Sequence, residues 1–397
     1  MIALTHKIRL KPTAAQAAGL EKACGCARFA WNWCLATYKD KKKQGMKKVS
    51  YLDLKKEFNN IKGNKFPWIY ESPKDCNQRP FKNFQKGLNA FYKNPKIGYP
   101  KFKKKGKCKD SFYLCNDQGE ITGKTFWIPK IGSIKTTEAL RFTGKIVSYT
   151  VSRTASHWFV SVNCELPDTY QRKAVKTDNI VGVDLGLKTF AVTSNGDYIN
   201  APRPIKQYQK KLRRLSKSLS RKHKGSNNRR KAAKKLAKLY QRITNVRQDF
   251  IHKFTSQLLC KNQTVVIEDL CIKGMVGFGK LAKGLHDSAL AETRRQLMYK
   301  TPLFRRNLVI ADRFFPSSKI CSDCGGVKNN LTLSDREYIC ESCGSIKDRD
   351  YNASLNLKQL GIVHTEVKLA ESQALVTFKD VTKLDSLKQE IVMDNCL

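Results

Sequence analysis

Residues 180–193 read IVGVDLGLKTFAVT: an apolar run from Ile180 to Val183, a single carboxylate at Asp184, a glycine turn at Gly186, and a second apolar run from Phe190 to Thr193. The pattern predicts a buried strand that delivers one acid, a tight reversal, and a second strand beside it. A lone acid on such a strand is ordinarily a satisfied core carboxylate. Two further stretches argue for more than that. Residues 264–270, TVVIEDL, form another apolar strand with Glu268 and Asp269 at its carboxyl end, and residues 348–357, DRDYNASLNL, place Asp348 and Asp350 at the start of a predicted helix. Three such acids are costly to bury unpaired, but two Mg²⁺ ions about 3.5 to 4 Å apart would supply the missing charge. On that geometry the acids are ligands and none is a nucleophile, one ion activates water, the other stabilises a leaving 3′ oxygen, and Asp184 bridges both. Asp269 also reads as surface charge and Asp348 as a helix cap.

A second constellation is Cys321-Ser322-Asp323-Cys324 and Cys340-Glu341-Ser342-Cys343, with glycines at 325, 326 and 344. Two CxxC knuckles can present four thiolates to one Zn²⁺ at about 2.3 Å, and four protein ligands leave no open position, so this ion is expected to be structural. A disulfide or redox pair is the competing reading. The other ten cysteines are irregularly spaced and read as packing residues or incidental thiols.

Lysine and arginine number 76 against 33 acidic residues, a formal charge of +43 on 397 residues, which calls for a polyanionic partner. Nucleic acid is the expected one. A ribosomal-type packing protein would share the charge but not the isolated acids on apolar strands. No run approaches the roughly 18 to 20 apolar residues of a spanning helix, and Met1-Ile2-Ala3-Leu4 leads into charged sequence without a signal peptide's apolar core, so no membrane partner and an intracellular, cytoplasmic location are expected.

The rest of the chain reads as follows. Ile2, Leu4, Ile8 and Leu10 alternate with polar residues in a strand ended by Pro12, and Thr13 with Gln16 has capping-box spacing for the helix after it. Further helical regions cover about Tyr51 to Tyr70 and Asp75 to Tyr92, and strands 146–150 and 158–164 form a hairpin. In the stretch FYKNPKIGYPKFKKKGKCKDSF at 91–112, basic residues including Lys101 and Lys103 alternate with aromatics, which suits phosphates and stacked bases as well as a solvated loop. Between Lys206 and Gln248 there are seventeen Lys or Arg and no Asp or Glu. Leu212, Leu215 and Leu219, then Leu236, Leu239, Ile243, Val246 and Phe250, mark the seam of a helical hairpin. Its one-sided charge, with Arg213, Arg221, Arg229 and Arg230, is expected to lie on RNA or a heteroduplex.

The order GVDLGLKTFAVTS, basic hairpin, VVIEDL, FFPSSKICSDCG, CESCG and DRDYNASLNL resembles the TnpB/OrfB family of insertion-sequence transposons, relatives of the compact type V CRISPR nucleases, over about residues 1 to 360. The resemblance implies an RNA-guided DNA endonuclease that uses a noncoding RNA from the transposon end and cuts double-stranded DNA beside a short motif, with base pairing reading the target. It implies an α/β plus α+β chain: a wedge strand (1–12), a helical recognition domain (13–95), a β-barrel-like wedge domain (96–175), an RNase H-like (RuvC) mixed-sheet nuclease (176–316) with its basic hairpin (206–250), a zinc ribbon (317–347), a final RuvC segment (348–362) and a loose tail (363–397). Asp184, Glu268 and Asp350 match the family's catalytic, Mg²⁺-binding acids, and Cys321, Cys324, Cys340 and Cys343 its zinc ligands. Tyr51, Lys74 and Gln78 fall where relatives contact the motif duplex. The chain is expected to act as a monomer on one guide RNA. A transposase proper and an RNA-guided repressor that binds without cutting are the rival readings.

Overall fold

The computed structural model describes residues 2–155, 157–270, 284, 287, 289–332 and 334–372; Cys271, Cys396 and the part of the expected tail from 373 to 397 lie outside them. The described chain divides into two compact units. One comprises residues 1–170 with 215–241, and the other 171–214 with 242–397.

In the first unit β1 (Ile2–Lys11) lies inside a seven-stranded sheet of order β2-β6-β7-β1-β5-β4-β3, in which all paired strands run antiparallel. The expected hairpin is β6 (Lys145–Thr154) and β7 (His157–Leu166), and Trp158, Val160, Val162 and Cys164 are its buried face. The other strands are β2 (Ser111–Cys115), β3 (Glu120–Thr122), β4 (Thr125–Ile128) and β5 (Gly132–Thr136).

Three helices of residues 1–170 pack with this sheet: α1 (Ala14–Lys43), α2 (Tyr51–Lys65) and α3 (Asp75–Lys93). Thr13 caps α1 in the capping box that its spacing predicts. The helices share one hydrophobic core with the sheet, centred on aromatic pairs such as Trp33–Phe58 at 5.0 Å and Phe58–Phe81 at 5.3 Å. Cys24, Cys26 and Cys34 are buried in it as packing residues, and burial pushes each thiol up to about 12.

The second unit is built on a five-stranded mixed sheet of order β10-β9-β8-β11-β12. Strands β8 (Ile180–Leu185), β11 (Thr264–Glu268) and β12 (Asn307–Ala311) are parallel, while β9 (Ala191–Thr193) turns back antiparallel against β8 and pairs β10 (Tyr198–Ile199). The helix α7 (Arg349–Ser372) lies on this sheet. Its approach is set by glycine: a Cβ on Gly182 would stand 2.0 Å from the Ser354 carbonyl oxygen and 2.4 Å from the Lys358 nitrogen. The helix runs past residue 362, where the tail was expected to begin, because extending a formed helix adds a hydrogen bond for each residue fixed.

The basic hairpin consists of α4 (Pro204–Ser220) and α5 (Asn227–Lys261), and α5 outruns the expected end at 250. The extension carries its own apolar stripe, Ile251, Phe254, Leu258 and Leu259, all buried. Phe190 packs edge-on against Phe250 and Phe254 at 5.0 and 5.3 Å. Asp287 accepts from the Ile205 and Lys206 backbone N–H groups and so holds the start of α4. No helix among the described residues is long and apolar enough to cross a membrane.

Helix α6 (Leu290–Phe304) meets α5 through a buried lysine. Lys300, 1% exposed, donates to the His252 carbonyl at 2.9 Å and to the Thr255 and Ser256 hydroxyls at 2.8 and 2.9 Å. Burial, and then the charge of Arg172, pushes its pKa down from 10.5 to about 8. The folded state therefore favours neutral lysine, a contribution present above the unfolded-state pKa and lost as pH falls through 8. Relative to Lys300→Met, the wild-type unfolding free energy is expected to drop by about 3 kcal/mol from pH 10.5 to 8 and to stay flat below. Urea denaturation across that range checks it, and parallel curves for the two proteins would refute it.

Candidate active site and metal centre

Asp184 and Glu268 reach the same place because their strands are parallel neighbours. The last registered pair of β8 and β11 is Val183 with Ile267, so the next residue on each is an acid. Strand order also reverses here, with β9 and β10 on one side of β8 and β11 and β12 on the other. In open α/β sheets such a switch point opens a crevice at the carboxyl ends of the strands. Asp350, in the first turn of α7, is brought over this end by the close packing at Gly182.

The electrostatics bind the three acids into one group. Burial holds the Asp184 carboxyl well above the usual carboxylate range, and the charges of Glu268 and Asp350 add to that, with Arg349 opposing. Arg349 itself pairs with Asp350 at 2.9 Å. A half-buried acid whose charged form two other acids oppose is a donor set suited to a hard divalent cation, whose charge would relieve both desolvation and repulsion.

The neighbouring acids Asp269 and Asp348 each have partners of their own. Asp269 is neutralised by Arg294 and by Arg313 at 3.1 Å, which hold its carboxyl below the usual range. Asp348 accepts from the Tyr351 backbone N–H at 2.9 Å and caps α7.

The four cysteines Cys321, Cys324, Cys340 and Cys343 have their sulfurs within 4.8 Å of one another. Cys321 to Cys343 is 3.7 Å and Cys324 to Cys340 is 3.5 Å. A disulfide would need about 2.05 Å. Four sulfurs at about 2.3 Å from one tetrahedral Zn²⁺ stand about 3.8 Å apart, so the donor set fits that ion. Both knuckles use the same turn, with Gly325 and Gly344 at φ 77° and 72° donating to the Cys321 and Cys340 carbonyls at 3.0 Å. Backbone N–H groups, that of Cys343 first, hold the Cys340 thiol down at about 6. The strands β13 (Glu337–Ile339) and β14 (Ile346–Asp348) pair beneath, and the hydroxyl of buried Tyr338 donates to the Lys319 and Gly326 carbonyls.

Residues that sequence reasoning passed over join this ribbon to the acids. The Asn352 side chain donates to the Ile320 carbonyl at 2.7 Å and accepts from the Ser322 N–H at 3.0 Å. Asn356, one turn later, donates to the Ser317 and Ile320 carbonyls, each at 2.7 Å. The Ser317 hydroxyl donates to Glu268. The i, i+4 spacing of the two asparagines was a visible sign of one helix face; the identity of its partner was not.

The nucleic-acid candidates occupy varied settings. Tyr51 is the half-buried first residue of α2; Lys74 is exposed just before α3, and Gln78 donates to Asn59 at 2.8 Å and Asn77 at 2.6 Å. The backbone of Lys101 and Lys103 is pinned to α1 by Trp31 and Asn32, leaving Lys101 exposed and Lys103 with its ammonium 3.9 Å over Trp31. Arg213, Arg221 and Arg230 are exposed on the hairpin, whereas Arg229 donates to the Leu219 and Lys222 carbonyls and closes its turn.

Family models described as "Probable transposase", "Cas12f1-like, TNB domain" and "Helix-turn-helix domain" match residues 159–278, 291–357 and 1–47. A Streptomyces pristinaespiralis protein named "Putative RNA-guided DNA endonuclease" is 34% identical over 362 residues, covering 90% of this chain and 89% of its own. Its Escherichia coli counterpart, "Putative RNA-guided DNA endonuclease InsQ", is 29% identical over 374 residues, covering 89% and 91%. Among solved structures, CasPhi-2 (Cas12j) bound to crRNA is similar at a TM-score of 0.43 and 11% identity, covering 91% of this chain and 98% of that one. With a relative this similar over nearly its whole length, the chain belongs to the TnpB/OrfB family of transposon-encoded RNA-guided DNA endonucleases.

Proposed function

We propose that the chain carries a noncoding RNA derived from the transposon end and cuts double-stranded DNA beside a short motif, using Asp184, Glu268 and Asp350 in an RNase H-like (RuvC) site. The observation that carries this reading is that the adjacent parallel strands β8 and β11 end in register on Asp184 and Glu268, while the first turn of α7 adds Asp350, whose charge acts on Asp184. The mixed sheet of the second unit is of the kind an RNase H-like reading expects. These acids would hold two Mg²⁺ ions. Bound there, Mg²⁺ supplies charge neutralisation at the scissile phosphate and acidifies water. The protein's own part is to bring three acids to one end of the sheet, to hold Asp350 with Arg349, and to occupy Asp269 with Arg294 and Arg313. The charge of +43 suits a guide RNA and its DNA heteroduplex, with Arg213, Arg221 and Arg230 as exposed contacts on the basic hairpin and Lys101, Lys74, Gln78 and Tyr51 as candidates among residues 1–170. A single chain on one RNA, acting in the cytoplasm on the nucleoid, fits this chemistry.

The test is to express the chain with its flanking transposon DNA, sequence the RNA that copurifies, and present a target library with randomised flanks in Mg²⁺. Cleavage that requires both a matching guide and a flanking motif is expected. Guide-dependent binding without cleavage, or no discrete RNA, would overturn the proposal.

We assign zinc to the four thiols, as a structural ion. Cys321→Ser is expected to lower zinc content from about one per chain to near zero and to loosen the ribbon. Metal analysis of the purified variant measures it, and full retention would refute four-thiolate coordination.

A further inference from the structure

We propose that Ser317 is a positioning residue for Glu268, placing its carboxylate for the cation, and that α7 sets the position of Ser317 through Asn356. The inference rests on the reading of Glu268 as a cation ligand.

Ser317 is 3% exposed, and its hydroxyl donates to one oxygen of Glu268, Oε1. Its carbonyl accepts from the Asn356 amide at 2.7 Å, and that amide also holds the Ile320 carbonyl at 2.7 Å. One turn nearer the helix start, Asn352 ties down the Ile320 carbonyl and the Ser322 N–H. The segment 317–322 is therefore fastened to the helix whose first turn carries Asp350, and its only grip on the sheet's acids among these bonds is the Ser317 hydroxyl. Both asparagines are buried, so neither amide has water as an alternative partner.

The chemistry explains why such a link is useful. Glu268 lies at the end of its strand on a flexible side chain, and ordering it costs rotamer entropy when a cation arrives. A hydroxyl that donates to one carboxylate oxygen orders it beforehand and leaves the other oxygen to the cation. The same chain of bonds moves with α7, so the spacing of Glu268 and Asp350 is held by one structure.

The test uses the full chain and Mn²⁺ as the probe, read by the fall in free-ion EPR signal. Ser317→Ala is expected to weaken Mn²⁺ binding by roughly ten-fold or more, with Ser317→Thr restoring it. The Mn²⁺ concentration that half-saturates cleavage should shift by the same factor, while guide-dependent target binding and zinc content stay as in wild type. Wild-type Mn²⁺ affinity in Ser317→Ala, with affinity lost in Glu268→Ala, would overturn the proposal and leave the acid site standing. Full Mn²⁺ affinity in Glu268→Ala would overturn the ligand reading and this proposal with it. Loss of zinc together with Mn²⁺ in Ser317→Ala would mean a purely structural role and would also overturn it.

Discussion

Asp184→Ala is expected to abolish target cleavage, by on the order of a thousand-fold or more, while guide and target binding persist. A thousand-fold corresponds to about 4 kcal/mol of lost transition-state stabilisation, the scale of a cation's contribution at a reacting phosphate. The fold should not suffer. Asp184 carries a carboxyl whose ionised form is opposed by burial and by Glu268 and Asp350, so its removal relieves the native state. Glu268→Ala and Asp350→Ala should lose cleavage in the same way. The informative contrast is with the neighbours. Asp269→Ala breaks pairs with Arg294 and Arg313, and Asp348→Ala removes a helix cap at a cost of about 1 kcal/mol, yet both should still cut. Single-turnover cleavage of a matched target in Mg²⁺, beside a binding assay, separates the two groups. If Asp269→Ala were as inactive as Asp184→Ala, the assignment of the strand-end acid would be wrong.

Gly182→Ala should cost about 3 kcal/mol or more of stability and take cleavage with it. The added methyl would meet the Ser354 carbonyl oxygen and the Lys358 nitrogen, which are backbone atoms of α7 and cannot rotate away as a side chain could. The helix must lift from β8. Gly361 on the same helix has a milder conflict, because its Cβ would meet the Val266 side chain at 2.5 Å. Lifting α7 carries Asp350 away from Asp184, so the loss of activity should exceed what reduced folding explains. A suitable control is Gly196→Ala, where φ is 84° but no atom stands within 4 Å of the new methyl; it bears backbone strain alone. Urea denaturation of the three proteins, with cleavage measured at matched folded fraction, is the measurement. Equal stability of Gly182→Ala and wild type would remove close packing as the device that places Asp350.

The sequence by itself determined whatever local pattern and charge encode. Alternation marked β1 and the β6–β7 hairpin, capping-box spacing marked the start of α1, and apolar runs ending in acids marked β8 and β11. The paired CxxC knuckles announced the sulfur cluster, because each turn needs only nearby residues to present two thiols. Tertiary structure decided matters that depend on who meets whom. Glu268 and Asp269 are adjacent acids with the same local signal, and only the register of β11 against β8 and the arrival of Arg294 and Arg313 distinguish them. Asp348 and Asp350 are separated by the start of α7, a boundary that sequence patterns place only within a few residues. Arg229 and Lys103 share the composition of their exposed neighbours, yet one guanidinium closes a turn and one ammonium lies over an indole. The link from Asn356 through Ser317 to Glu268 joins three segments far apart in the chain, and no periodicity records a contact that forms only when the helix is laid on the sheet.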